Sequence, residues 1–245
     1  MEWQAWGEQL REVLGLEHLP VAITYTDHPP EGLPQTRCRV CGALLRVAAG
    51  EMLDMTAGTS ACPGGTMYLG LGQQPPERAQ ALREFLINGE KLFACNAAIT
   101  RANTLTRAKP PLGAATHIVM APLTRAPLPP DVTVFLCNAW QAARLINLAY
   151  YETGTPMECD PTGSLCRAAI TYPLVTGLVN VTFGDVTARR EERYSADVLF
   201  LTLPFVHLRS VALSLDRCSA GTAPSVIPPA IRHMLQEGGQ GTAEF

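Results

Sequence analysis

Apolar residues recur at helical spacing at the start of the chain, at Trp3, Trp6, Leu10, Val13 and Leu14. They predict an amphipathic helix that stops at Gly15. A short apolar run behind Pro20, VAITY at 21–25, predicts a buried strand. The turn-rich segment 27–35 reads as a loop leading into a helix over 37–49, where Cys38, Cys41, Leu44, Leu45 and Ala48 share a face. After a loop over 50–61 comes ACPGGTMYLGLG, in which Pro63 suits a first helical position and Gly64, Gly65, Gly70 and Gly72 permit close backbone approach. Further helices are predicted at 76–90, at 139–152, from near Cys166 and over 205–217, and strands at 117–122, 132–137, 178–183 and 198–204. The stretch GDVTARREERYS reads as a polar connection. Strands and helices alternate without a regular rhythm, which predicts an α/β or α+β fold with mixed sheets.

The pattern also reads twice. Each half offers an apolar strand, an Ala/Leu-rich helix, a glycine (Gly50, Gly154) and, twelve residues on, a cysteine (Cys62, Cys166). Laid without gaps, 41–70 matches 145–174 at Leu44/Leu148, Gly50/Gly154, Ser60/Ser164, Cys62/Cys166 and Tyr68/Tyr172, against about two matches expected from composition. The proline-rich RAPLPPD at 125–131 marks the boundary, giving halves of 1–125 and 126–245 that form two similar units or one intimate domain. The expectation is an internal duplication that brings Cys62 and Cys166 to equivalent places. The alternative is two similar supersecondary units that each carry a cysteine by accident.

Composition narrows the class. The 245 residues are 47% hydrophobic and 17% charged, enough apolar side chain for a large core. A net charge of -3 gives no basic face for phosphate, so nucleic acid is not an expected partner. No apolar run approaches the ~20 residues of a membrane span, and the acidic N-terminus lacks a signal-peptide pattern; the expected location is cytoplasmic. Eight cysteines in a reducing compartment argue against a disulfide framework.

Thiolates are the preferred ligands of iron–sulfur clusters and also bind zinc. Cys38 and Cys41, three apart on one helix, together with Cys62 and Cys166 make a candidate four-thiolate metal site drawn from both halves. Backbone N–H groups of Gly64 and Gly65 would point at the Cys62 sulfur. Zinc ligands usually arrive as two tight pairs, and the second pair is missing here, which favours an iron–sulfur cluster over zinc. Cys159, in a loop beside Asp160, is an alternative to Cys38; Cys95, Cys137 and Cys218 read as core or surface bystanders. Asp185 with Arg189 or Arg190 is a candidate anion-binding pair, or a turn-closing ion pair. The histidines, His18, His28, His117, His207 and His233, have no metal-ligand spacing, and no dinucleotide, Walker or serine-nucleophile motif is present.

The ordered set PVAITY, ACPGGTMYLGLG, PDVTVFLCNAWQAARLINLAYYETG, GSLCRAAITYPLVTG, FGD and ADVLFLTLP resembles the family catalogued as domain of unknown function 169, over roughly 10–217. The resemblance implies that Cys62, Gly64, Gly65, Cys166, Gly177, Gly184, Asp185 and an arginine near 189 are motif positions. It implies neither fold nor reaction. The chain departs from the family in having only Asp197 before the last strand, where more acidic residues are usual. Three functions remain in view. The first is a cysteine-ligated iron–sulfur protein with a redox or electron-handling role, as an oxidoreductase component or electron carrier. The second is a module that binds a small molecule, anion or cofactor between the halves. The third is a structural zinc protein. The expected partners are a small molecule or an electron-transfer protein, with self-association left open.

Overall fold

Six strands form one sheet in the order β2-β3-β1-β4-β6-β5, where β1 is Val21–Thr26, β2 Leu53–Met55, β3 His117–Pro122, β4 Val132–Cys137, β5 Asn180–Thr182 and β6 Leu199–Pro204. The computed structural model describes residues 1–73, 75–106 and 108–221; His233 and the rest of 222–245 lie outside them. Every strand pairing within the sheet is antiparallel. The expected mixed sheets are therefore corrected to one antiparallel sheet. The physical reason is insertion: β1 and β2 run in the same direction, as a helical crossover requires, but β3 slots between them with opposite sense. In the same way β6 slots between β4 and β5.

Read inward from either edge, the order is second, third, first strand of each half, and β1 pairs with β4 (Val21↔Val134, Ile23↔Val132), so the halves share one sheet. The helices do not follow the same symmetry. Helix α2 (Val40–Ala48) follows β1 and buries Leu44 on one face, whereas α6 (Ala139–Tyr150) follows β4 and buries Leu148 on the other.

Strand alternation sorts the residues. Val21 and Ile23 on β1, Val132, Val134 and Leu136 on β4 and Phe200 on β6 face α2, joined by Leu69 and by Leu165, Ala169 and Ile170. Ala22, Phe135, Cys137, Leu201 and Leu203 face the opposite way, onto α1 (Glu2–Leu14), α6 and α9 (Phe205–Leu213). Helix α1 buries Trp6, Leu10 and Leu14, as its spacing predicts, and ends at Gly15 with φ 62°, a left-handed conformation that glycine adopts without a Cβ clash. Helix α6 opens with a reciprocal cap: Asn138 accepts from the Gln141 N–H at 2.9 Å, and the Asn138 N–H donates to Gln141 Oε1 at 3.0 Å.

After α6 the chain changes faces. It passes the edge strand β5, where Asn180 bonds both the N–H and the C=O of Asp160 (2.8 and 3.1 Å) and Thr182 donates to the Pro161 carbonyl at 2.9 Å. The loop at 160–162 is thereby tied to the edge strand. Arg167 fastens that loop through Asp160 at 2.9 Å and the Thr162 carbonyl at 2.6 Å. Cys166 is so delivered to the α2 face, at the start of a π-helical turn (Arg167–Thr171) that runs into α7 (Tyr172–Thr176). Four elements were not anticipated: β2, a 3-10 turn at Leu123–Arg125, α5 (Asn96–Leu105) in the stretch after Cys95, and α8 (Val186–Glu191) inside the polar connection.

Candidate thiol site on the α2 face

Cysteine 62 caps the helix α3 (Pro63–Tyr68), with the Gly65 N–H donating to its sulfur at 3.4 Å. Helix α3 lies hard against the start of α2: a Cβ on Gly65 would come 2.7 Å from Cγ2 of Val40, so only glycine admits this approach. The backbone of Cys38 is bridged to the strand of chain just before Cys62, its N–H to the Thr59 carbonyl (3.1 Å) and its carbonyl to the Ala61 N–H (2.9 Å). The π-helical turn of the second half then docks on α3, where the Thr171 hydroxyl donates to the Tyr68 carbonyl at 2.7 Å. These contacts bring Cys166 into electrostatic range of Cys41 and of Cys62, and both of those into range of Arg39.

Each thiol has its own surroundings. The Cys166 sulfur donates weakly to Ser164 Oγ at 3.8 Å; burial pushes its pKa up to about 12, with the nearby Cys62 sulfur adding to the effect. Cys41 donates to Glu192 Oε1 at 3.3 Å, and burial likewise pushes it up to about 12, against the pull of the Arg39 guanidinium. Cys38 is raised by burial while Arg46 opposes the shift; the charged groups that act on it are Arg46, Glu192 and Glu51. Arg39 interacts with both Cys41 and Cys62 and lies 3.8 Å from Glu192.

Glu192 reaches this spot because Gly42 leaves room: a Cβ there would meet Glu192 Oε2 at 2.7 Å. Tyr194 closes the same side, donating to the Cys41 carbonyl at 2.5 Å and packing edge-on against Phe200 at 5.0 Å. Tyr25 and Tyr68 both lie near Cys166; burial raises the pKa of each, so both stay protonated phenols. The group is therefore a set of thiols and phenols beside Arg39 and Glu192, in which burial disfavours ionisation of Cys41, Cys166, Tyr25 and Tyr68. Among the described residues no three His, Cys, Asp or Glu side chains are arranged to hold a metal ion.

Of the other expected site residues, Asp185 and Gly64 adjoin the thiols, while Arg189 and Cys159 are engaged away from them. Asp185 caps α8, accepting from the Ala188 N–H at 2.7 Å, and its second oxygen takes the Leu165 N–H at 2.8 Å. Arg189 donates to the carbonyls of Phe183, Val198, Ser195 and Ala196 at 2.6–3.2 Å. Asp185 thereby holds the chain just before Cys166, and Arg189 holds the chain on either side of α8. Gly64 lies beside Cys62, where an added Cβ would be 3.8 Å from the sulfur. Cys159 is exposed on a separate groove of about 660 Å³ lined by Phe93, Asp160 and Arg167. Cys95 is exposed, and Cys137 and Cys218 are buried in the opposite core.

Sequence reasoning passed over Tyr25, Arg39, Glu192 and Tyr194. Tyr25 had a signal, since it continues the core-facing alternation of Val21 and Ile23. Glu192 had none, because a charge run such as RREER ordinarily marks a solvated face.

Residues 9–213 match the model of a family described as uncharacterised ArCR, a domain of unknown function. No curated protein and no solved structure matches the chain. Among the described residues no helix is long and apolar enough to cross a membrane.

Proposed function

Since the chain belongs to the DUF169 family, we propose, from its own residues, that the thiol pocket is a cysteine-ligated metal centre with an iron–sulfur cluster as its occupant, serving a redox or electron-handling role. The observation that carries this reading is the convergence of Cys41, Cys62 and Cys166 from both halves of the chain. Cys38 is the fourth candidate ligand. A cluster supplies one-electron exchange; the residues supply the rest. Ligation requires thiolates, so protons must leave Cys41 and Cys166. Glu192, already hydrogen-bonded to the Cys41 thiol, is placed to accept one of them. The N–H of Gly65 can keep its bond to the Cys62 sulfur after ligation, and the positive Arg39 offsets thiolate charge. The shared strand order supports treating the halves as copies of one unit, with Cys62 and Cys166 as counterparts; the opposite placement of α2 and α6, and the extended backbone at Cys62 against the helical one at Cys166, limit that likeness to the strands.

A second reading, a pocket for a small organic ligand or anion, is favoured by the bonds the sulfurs already make to Glu192, Ser164 and Gly65 and by the lack of a ready-made ligand set among the described residues. Iron, zinc and acid-labile sulfide analysis on protein purified without oxygen separates the readings. Iron and sulfide together with a broad visible absorption band support the cluster. Zinc alone supports the structural-zinc alternative, and metal-free protein supports the organic-ligand reading.

A further inference from the structure

A cleft of about 530 Å³ opens between the loop after β2, the turn after α3 and the chain that leads into β3. Ala57, Leu71, Leu112 and Ala115 line it together with Thr116 and His117. Its walls meet at Gly70 (φ 76°), where a Cβ would overlap the Pro111 carbonyl, and the Gly113 N–H donates to the Gly70 carbonyl at 3.4 Å. The rim is fixed beside His117, because Asp27 accepts from the Thr116 N–H at 2.9 Å and from its hydroxyl at 2.8 Å. None of the lining residues belongs to the thiol group.

His117 is held from the sheet. Asp54 on β2 stands opposite Val119 on β3, so Asp54 and His117 are diagonal neighbours on the face turned away from Leu53, Met55 and Ile118. The Asp54 side chain is buried, takes the Gln35 amide at 2.6 Å, and is steadied by its own N–H bond to the Pro34 carbonyl at 2.9 Å. Its two oxygens lie 3.0 and 2.9 Å from His117 Nδ1. Those oxygens act as acceptors, so Nδ1 carries the ring proton and Nε2 keeps the lone pair.

We infer that this cleft is a further ligand site, for a small neutral organic molecule with a weakly acidic O–H, and that His117 accepts that proton at Nε2 while Asp54 positions the ring. The volume is that of a small-molecule site, which is typically mostly apolar with a few placed polar groups. Apart from His117, no lining residue among the described ones has an ionisable side chain, so a charged ligand would find no counter-ion. A neutral one packs its body against Leu71 and Leu112. In the transfer the ligand's O–H bond breaks and an Nε2–H bond forms, the electron pair stays on the ligand oxygen, and Asp54 stabilises the imidazolium so made. His117 is the proton acceptor and Asp54 its positioning residue.

The test uses the full chain with para-nitrophenol as probe, in mildly acidic buffer where the free probe is neutral and colourless. Wild-type protein is expected to bind it saturably and to bring up the yellow band of the ionised probe. H117Q abolishes the band. D54N keeps the binding but lowers the ionised fraction of bound probe about tenfold, since the amide can still accept from Nδ1–H but does not stabilise the imidazolium. No saturable binding by the wild type, binding without the band, a band that survives in H117Q or one unchanged in D54N overturns the inference. Metal analysis at the thiols is unaffected by any of these outcomes, so the two readings stand or fall separately. Should either variant not fold, nitrogen NMR shifts of His117 in the wild type serve instead: the free protein shows the Nδ1–H tautomer and probe addition protonates both nitrogens. The Nε2–H tautomer, or no change on saturation with the probe, overturns the inference.

Discussion

On the α2 face of the sheet, Cys41, Cys62 and Cys166 lie among Arg39, Glu192, Tyr25, Tyr68 and Tyr194; on the α1 face, Cys137 and Cys218 lie among leucines and alanines. Burial raises Cys137 to about 12, as it does Cys166, so desolvation alone does not set the two apart. What differs is company. Cys137 meets the backbone of Leu201, whereas Cys166 meets another thiol, a serine and two phenols. A raised thiol pKa is therefore a sign of burial first, and a sign of chemistry only where other reactive groups share the space.

Substituting cysteines on the two faces breaks this comparison most sharply. Cys166→Ala or Cys62→Ala is expected to lose essentially all bound iron and sulfide, while Cys218→Ala keeps them; equal losses from both faces, measured by metal analysis of folded protein, would remove the case for a centre at Cys166. Truncating the aliphatic face has the reverse signature. Leu145→Ala, at a fully buried position, should cost about 2–5 kcal/mol in urea unfolding and leave metal content per folded molecule unchanged.

The pH dependence sharpens the comparison further. Thiols whose ordinary pKa is 9.0 are raised to about 12 in the folded protein at Cys41, Cys137 and Cys166. Between those values the folded state holds more protons than the unfolded state, so stability of the metal-free protein falls as pH rises from about 9 to about 12. Cys137→Ala and Cys166→Ala should each flatten that fall in urea titrations. Metal uptake runs with the opposite sign, rising with pH as thiols deprotonate, and of these two variants Cys166→Ala should abolish it while Cys137→Ala keeps it.

Smaller effects are expected at the hydroxyls. Tyr194→Phe removes the 2.5 Å bond to the Cys41 carbonyl and should cost about 0.5–1.5 kcal/mol, read by chemical unfolding. Thr133→Val replaces an orphaned hydroxyl by a methyl and should be neutral or slightly stabilising, by about 1 kcal/mol at most. A loss at Thr133 comparable to that at Tyr194 would show that the aliphatic face hides a polar partner.

Much of the architecture was legible along the chain. The α1 stripe of Trp6, Leu10 and Leu14, the strand runs at 21–26, 117–122, 132–137 and 199–204, and the glycine stop at Gly15 all follow from local periodicity and local steric rules. The three-residue β2 and the six-residue α8 were not legible, because so short a segment has no period to read, and each is stabilised by tertiary partners: β2 by pairing with β3, α8 by the Asp185 cap and the Arg189 clamp. The sheet's uniform antiparallel sense was also hidden, since alternating strands and helices say nothing of a third strand inserted between the two that a crossover joins.

The sequence by itself determined which segments are amphipathic and where they stop, because those properties depend on neighbours within a few residues. Only the tertiary structure decided that the chain after α6 crosses past β5 and returns Cys166 to the α2 face, that Gly42 and Gly65 let Glu192 and α3 close in, and that the Tyr25 hydroxyl ends up without a partner. Those outcomes depend on contacts between residues far apart in the chain, and such contacts leave no local period for a sequence pattern to carry.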